Sequence, residues 1–196
     1  DAVNALRWHI LPKADLLTPN RPEAELLADM KIDSEKDIDV AARKLLDMGP
    51  KAVLIKGGHF GSASDAEFTD WLALPDEPLI ALKQPGVKTS NNHGTGCTLS
   101  AAIATYLGLG LGIRDAIVHA QKFLNHCLRH GYAPGLGAGS AEPRFMDCQA
   151  GWRIAFPAEK RGRPHAVAPG TPVLVFSFFR RVACPAFSGD SVSGIR

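Results

Sequence analysis

The chain has 196 residues, 45% of them apolar and 21% charged, which is the balance of a globular protein with room for one ordinary domain and a buried core. A net charge of +2 leaves no case for nucleic acid or an acidic membrane as the main partner, and the longest apolar run, residues 173–179, is too short to span a bilayer. The four cysteines, Cys97, Cys127, Cys148 and Cys184, form no CxxC pair; they suggest neither zinc nor a disulfide framework and fit a reducing cytosol.

Residues 1–11 read as an amphipathic helix rather than a signal peptide, with Leu6, Ile10 and Leu11 on one stripe, and Pro12 is expected to break it. No initiator methionine precedes this helix, so the chain reads as beginning inside an element. Residues 14–17 read as a short buried strand ending at Thr18-Pro19-Asn20. A helix follows from Pro22, a residue suited to an early helical position. Ser34 and Asp37 resemble a capping box that opens a helix through Val40, Leu45, Leu46 and Met48, and Gly49 is expected to end it.

Residues 52–55 form a continuous apolar run, as expected of an inner parallel strand, closed by Gly57-Gly58. Residues 68–74 and 79–82 read as two further strands separated by Pro75 and Pro78, and residues 99–107 and 113–128 as helices. Strands alternating with helices predict an α/β sheet covered by helices, with ligands outside the carboxyl ends of the strands. Asn20, Lys56 and the turn before Gly94 fall at such ends. From about residue 133 the pattern decays. Residues 144–196 mix Pro, Arg, Gly and isolated aromatics without a period outside 173–179, which predicts a disordered or poorly packed tail, either a shifted reading frame or a real extension.

The segment His93-Gly94-Thr95-Gly96-Cys97-Thr98 carries the most chemistry. Two glycines and a threonine leave the backbone bare just before a helix-forming run. Unpaired N–H donors and the positive end of a helix dipole then coincide, which attracts anions and favours the thiolate of a cysteine placed among them. Gly-x-Gly before a helix is common, and a small cysteine near a helix start is also a packing residue. Other candidates have plain readings too: Asn20 as a helix cap, Glu23 as a complement to the first turn, Lys56 as a solvated strand end. His59 and His93 read as local hydrogen-bonding residues. His126 and His130, one turn apart beside Cys127, sit at a helix C-terminus where positive charge is favoured, which weighs against a metal.

Three segments stand in register: Thr18-Pro19-Asn20-Arg21-Pro22-Glu23-Ala24-Glu25, then Val53-Leu54-Ile55-Lys56-Gly57-Gly58-His59, then Asn92-His93-Gly94-Thr95-Gly96-Cys97-Thr98. Their order and spacing resemble the hydroxymethylpyrimidine/phosphomethylpyrimidine kinases of thiamine biosynthesis, members of the ribokinase-like superfamily. Cys97 is the specific part, since other branches of that superfamily usually carry an aspartate there. The resemblance covers residues 1–131, the C-terminal portion of such a kinase, and leaves 132–196 as an unassigned tail. It implies a three-layer α/β fold with helices on both faces of the sheet and the N-terminal part missing, which would leave an unpaired sheet edge.

The resemblance further implies phosphoryl transfer from ATP, with Mg2+, to hydroxymethylpyrimidine or its monophosphate. Gly94, Thr95 and Gly96 match the anion hole, Cys97 the general base, Asn20 and Glu23 the residues that place magnesium and phosphate, and Lys56, Gly57 and Gly58 the border of the nucleotide. The partner implied is a small pyrimidine in the cytoplasm, and a homodimer is compatible with it. A pyridoxal-type kinase and a non-catalytic nucleotide-binding module are the alternatives.

Overall fold

The computed structural model describes residues 2–57, 67–87, 89, 93–131, 139, 141 and 174–176. Its centre is a sheet whose shortest strands are fully buried. Strands β1 (Leu16–Leu17) and β2 (Val53–Ile55) have no exposed residue, as expected where both faces of a sheet are covered. They pair parallel, Leu17 opposite Val53. β3 (Glu67–Ala73) lies antiparallel between β2 and β4 (Ile80–Pro85). With β5 (Val175–Phe176) the order is β4-β3-β2-β1-β5.

The sheet is therefore mixed, and β2 has a parallel neighbour on one side only. The link from Ile55 to Glu67 explains this: a parallel partner would need a crossover of about a dozen residues or more, normally carrying a helix. The pleat then divides the side chains between two cores. Leu17, Val53, Ile55, Trp71 and Ala73 face α2 (Arg21–Ala28) and α3 (Glu35–Leu46). Leu16, Ala52, Leu54 and Leu72 face α4 (Thr95–Gly108) and α5 (Ile113–Arg129), where they meet Leu99, Ile103, Ala116 and Ile117. Three layers result, as the alternation of strands and helices predicts.

Local chemistry sets the helix ends. In α3 the Asp37 N–H donates to Ser34 Oγ at 3.3 Å and the Ser34 N–H to Asp37 Oδ2 at 2.9 Å, so the expected capping box is present. The helix stops at Leu46, short of Met48, and the chain turns through Gly49 at φ +112°. A Cβ there would meet Pro12 Cα at 2.7 Å, so this turn requires glycine.

The opening segment departs from a single α-helix: α1 spans Ala2–Ala5, a π-helix Leu6–Ile10 and a 3-10 turn Leu11–Lys13. Pro12 sits early in that last turn, where its missing N–H costs nothing, so it redirects the helix instead of ending it. Arg7 ties this segment to the end of α2, donating from Nε to Leu27 O at 3.1 Å and from Nη2 to Leu26 O at 2.9 Å.

The β1 edge, expected to be unpaired, is covered by β5. Leu16 lies opposite Val175, and the Asp15 N–H donates to Leu174 O at 3.0 Å. Residues 174–176, within the apolar run that stands apart from the rest of the tail, pair here because an open strand edge offers the backbone partners that a short apolar run needs. His93 N–H also donates to Gly139 O at 3.1 Å, and Ala141 is buried. The remaining tail residues lie outside the described ones. No helix among the described residues is long and apolar enough to cross a membrane.

Two outcomes test this packing. Ile103→Ala empties a fully buried site between α4 and the sheet, and should cost about 2–5 kcal/mol in urea unfolding. Asp15 anchors β5: its Oδ2 accepts from Leu174 N–H at 2.9 Å and its Oδ1 from Lys51 Nζ at 2.7 Å. Burial alone would raise its carboxyl, but the Lys51 bond, the Leu174 amide and the Lys51 charge outweigh that and hold it below the ordinary value. A depressed carboxylate contributes stability that is complete above its unfolded pKa, about 3.9, and lost as pH falls through the folded one. The gap in urea midpoint between the native chain and Asp15→Asn should therefore be full at pH 6 and close as pH drops below about 4.

Candidate functional site

The parallel register of β1 and β2 carries both strands to the same end of the sheet. Beyond them the Lys56 N–H donates to Pro19 O at 2.9 Å, and Asn20 lies in a parallel bridge with Lys56. The first turn of α4 meets this end. Ser100 Oγ donates to Gly96 O at 3.0 Å and lies 3.1 Å from Thr18 Oγ1, which fastens the helix start to the end of β1. A Cβ on Gly96 would stand 3.3 Å from Lys56 Nζ, so the lysine ammonium lies against bare helix backbone.

Gly94 is the N-cap of α4, at φ +77° and with no capping side chain. The first α4 amide to find a partner is that of Thr98, which donates to Gly94 O at 2.9 Å. The amides of Thr95, Gly96 and Cys97 have no partner among the described residues. The helix starts at Thr95 rather than Leu99, so these residues form its first turn instead of a preceding loop. The positive φ of Gly94 lets the chain enter the helix four residues earlier. Gly94, Thr95 and Gly96 are half-buried, while Cys97 is an exposed free thiol. Amides without a partner among the described residues, at a helix start and beside an ammonium, are the donors that an anion can take, and an accessible thiol stands next to them.

Charged groups surround Lys56. Burial lowers its pKa, opposed by the charges of Glu23, Asp70 and Cys97. Glu23, 7% exposed, is pushed up by burial; the Asn20 amide and the Lys56 charge pull it back. Asp70 on β3 is raised by burial against its bonds from the Gly57 N–H, at 2.9 Å, and from Gln121 Nε2, at 2.8 Å. Gly57 passes so close to β3 that a Cβ would fall 1.7 Å from Thr69 O, which explains the glycine after Lys56.

The fold gathers Asn20, Glu23, Lys56, Gly57, Gly94, Thr95, Gly96 and Cys97 at one end of the sheet. Gly58 and His59 lie outside the described residues. The plain readings of Asn20 and Glu23 hold as well. Asn20 Oδ1 accepts from Glu23 N–H at 2.9 Å, and Glu23 Oε2 from Asn20 N–H at 2.8 Å, a complete capping box. Glu23 does both: it closes the cap and faces Lys56. Lys56, by contrast, is no solvated strand end. His126 and His130 stack at 4.5 Å, and among the described residues no group of three or more His, Cys, Asp or Glu side chains converges to hold a metal. Thr18, Asp70, Ser100 and Gln121 were not singled out by the sequence. Two carried a signal: an acid inside an otherwise apolar strand, and a glutamine on the buried stripe that continues from Ile117.

The description of phosphomethylpyrimidine kinase matches residues 1–142. The hydroxymethylpyrimidine/phosphomethylpyrimidine kinase of Synechococcus elongatus is 46% identical over 138 residues, 70% of this chain and 51% of that protein. Among solved structures, the pyridoxal kinase of Staphylococcus aureus in complex with AMP-PCP superposes with a TM-score of 0.68 at 29% identity, over 74% of this chain and 53% of that one. The phosphomethylpyrimidine kinase of Clostridium difficile 630 does so with a TM-score of 0.51 at 32% identity, over 63% of this chain and 47% of that one. The chain spans about half the length of the curated relatives it matches. The covered sheet is that of the ribokinase-like α/β fold, and the chain belongs to the phosphomethylpyrimidine kinase family.

Proposed function

We propose that this chain provides the phosphate-gripping and proton-accepting part of a kinase that transfers the γ-phosphoryl group of ATP to hydroxymethylpyrimidine or its monophosphate in thiamine biosynthesis. One observation carries the reading: three amides without a partner among the described residues open α4 beside the Lys56 ammonium, with the Cys97 thiol accessible next to them. Family membership over residues 1–142 supports it, as does the superposition on a kinase bound to AMP-PCP. We read residues 1–131 as the C-terminal portion of the kinase domain and leave 132–196 as an unassigned tail.

Phosphoryl transfer asks for positioning and for neutralisation of charge on the transferring oxygens. The turn Gly94-Thr95-Gly96 presents its amides to those oxygens without rearrangement, and Lys56 adds a full charge from the strand side. The acceptor oxygen, the hydroxyl of hydroxymethylpyrimidine or a phosphate oxygen of its monophosphate, forms the new P–O bond while the bond to the ADP oxygen breaks, and the proton it carries passes to Cys97 acting as a thiolate. Gly57 and Gly58 border the nucleotide. Mg2+, when bound with ATP, neutralises phosphate charge. It takes oxygen ligands and keeps several waters, so the buried carboxylate of Glu23, held by the Asn20 N–H, fits it as a partial ligand set. An exposed free thiol at the reacting centre suits a reducing cytoplasm.

A pyridoxal-type kinase is the second reading, favoured by the superposition on pyridoxal kinase. An ATP-dependent assay offering hydroxymethylpyrimidine phosphate and pyridoxal side by side separates the two; preference for pyridoxal overturns the first. ATP binding in calorimetry with no transfer to either acceptor would make this chain a nucleotide-binding module. Cys97→Ala should lower turnover by about 10²–10⁴ while leaving ATP affinity nearly unchanged, and unaltered turnover would remove Cys97 from the reaction.

A further inference from the structure

Asp70 is a charged group that the proposed chemistry does not use, and it stands behind Lys56. Its two oxygens have separate tasks: Oδ1 accepts the N–H of Gly57, the residue after the lysine, and Oδ2 accepts Gln121 Nε2 from α5. Gln121 is 3% exposed, and its Oε1 has no hydrogen-bond partner among the described residues. A buried amide that spends its donor on Asp70 and leaves its own acceptor unpaired is oriented by that carboxylate. Asp70 accepts twice and donates nothing in these contacts, the pattern of an ionised acid.

Lys56 is the cation facing it. Lys56 interacts through charge with Glu23 on α2, Asp70 on β3 and Cys97 on α4, and Asp70 binds the backbone of the next residue, Gly57. Yet its ammonium makes no ion pair within 4.0 Å and no hydrogen bond among the described residues. It is held near carboxylates without giving its donors to them, and it lies against the Gly96 backbone where three amides are also unspent.

We propose that Asp70, locked by Gly57 and Gln121, is a positioning residue that holds the Lys56 ammonium beside Gly96 as a charged, unpaired donor, ready for a phosphoryl oxygen. The fixed carboxylate balances the desolvated cation from behind, and the short tether through Gly57 fixes where the lysine leaves β2. Only the naming of the anion as a phosphoryl group rests on the kinase reading.

Two measurements on the 196-residue chain test this. In the first, Lys56 is titrated by NMR in chain carrying 13Cε-labelled lysine. Asp70→Asn, nearly isosteric and still able to accept from Gly57, should move the Lys56 titration about one unit lower and leave exposed Lys31 in place. An unmoved Lys56 overturns the proposal. In the second, calorimetry with ATP compares Asp70→Asn in native and Lys56→Gln backgrounds. About tenfold weaker binding is expected in the native background and no further loss in the other. Equal losses in both would make Asp70 merely structural and also overturn it. If the native chain binds no ATP, the kinase reading of this chain fails while the Lys56 titration still decides the role of Asp70. Should Asp70→Asn not fold, Gln121→Met removes one donor and keeps the carboxylate; it should shift Lys56 in the same direction by less, and no shift counts against the proposal.

Discussion

One backbone hydrogen bond, from the Lys56 N–H to Pro19 O, closes the parallel ladder between β1 and β2 at the end where the chain leaves both strands. Everything chemical in the structure is measured from it. It sets Asn20 beside Lys56, which puts the capping box of α2 and the lysine on neighbouring strand ends. The start of α4 is then fastened to the same end through Thr18, Ser100 and Gly96. A parallel pair is the arrangement that allows this, because its two carboxyl ends lie together, whereas an antiparallel pair would send them to opposite sides of the sheet.

Buried polar groups at this end are held at a cost the two apolar cores must offset. Lys56, Glu23 and Asp70 all sit where burial works against their charged forms. Such groups are tolerated when each has partners with sound geometry. Glu23 and Asp70 have theirs in backbone amides and in Gln121, so their geometry is fixed before any ligand arrives. Among the described residues Lys56 and the first amides of α4 have none, and an anion would supply them. Rigid acceptors at the back and vacant donors at the front give the site its polarity.

Features written in short stretches of sequence were legible. Ser34 with Asp37 and Asn20 with Glu23 act over three residues, and both boxes form. The bare Gly94-Thr95-Gly96 turn also acts locally, although Gly94 at positive φ starts its helix earlier than the apolar stripe alone suggests. What was not legible depends on distant partners. The antiparallel turn of β3 comes from the length of a connection, not from the apolar run of β2, which looks the same with either neighbour. β5 is two residues of the apolar run 173–179, and nothing in that run names its partner; it pairs because β1 has an open edge and Asp15 can hold the Leu174 amide. Arg7 likewise shapes the opening helix by reaching the carbonyls of α2. Asp70 and Gln121 gain meaning only from each other, across 51 positions of sequence.

The division of labour between the two faces follows from that contrast. α2 and α3 are set by their own caps and pack on one side as a stable floor. On the other side α4 enters through glycine, without a capping side chain, and its first turn is held by Ser100 rather than by its own amides. A capping side chain needs extended backbone at the N-cap, and at φ +77° any side chain on residue 94 would be strained, so the bare start goes with this turn. The uncapped start is a stability cost at a helix end that meets the Lys56 ammonium, and the proposed anion site rests on this coincidence.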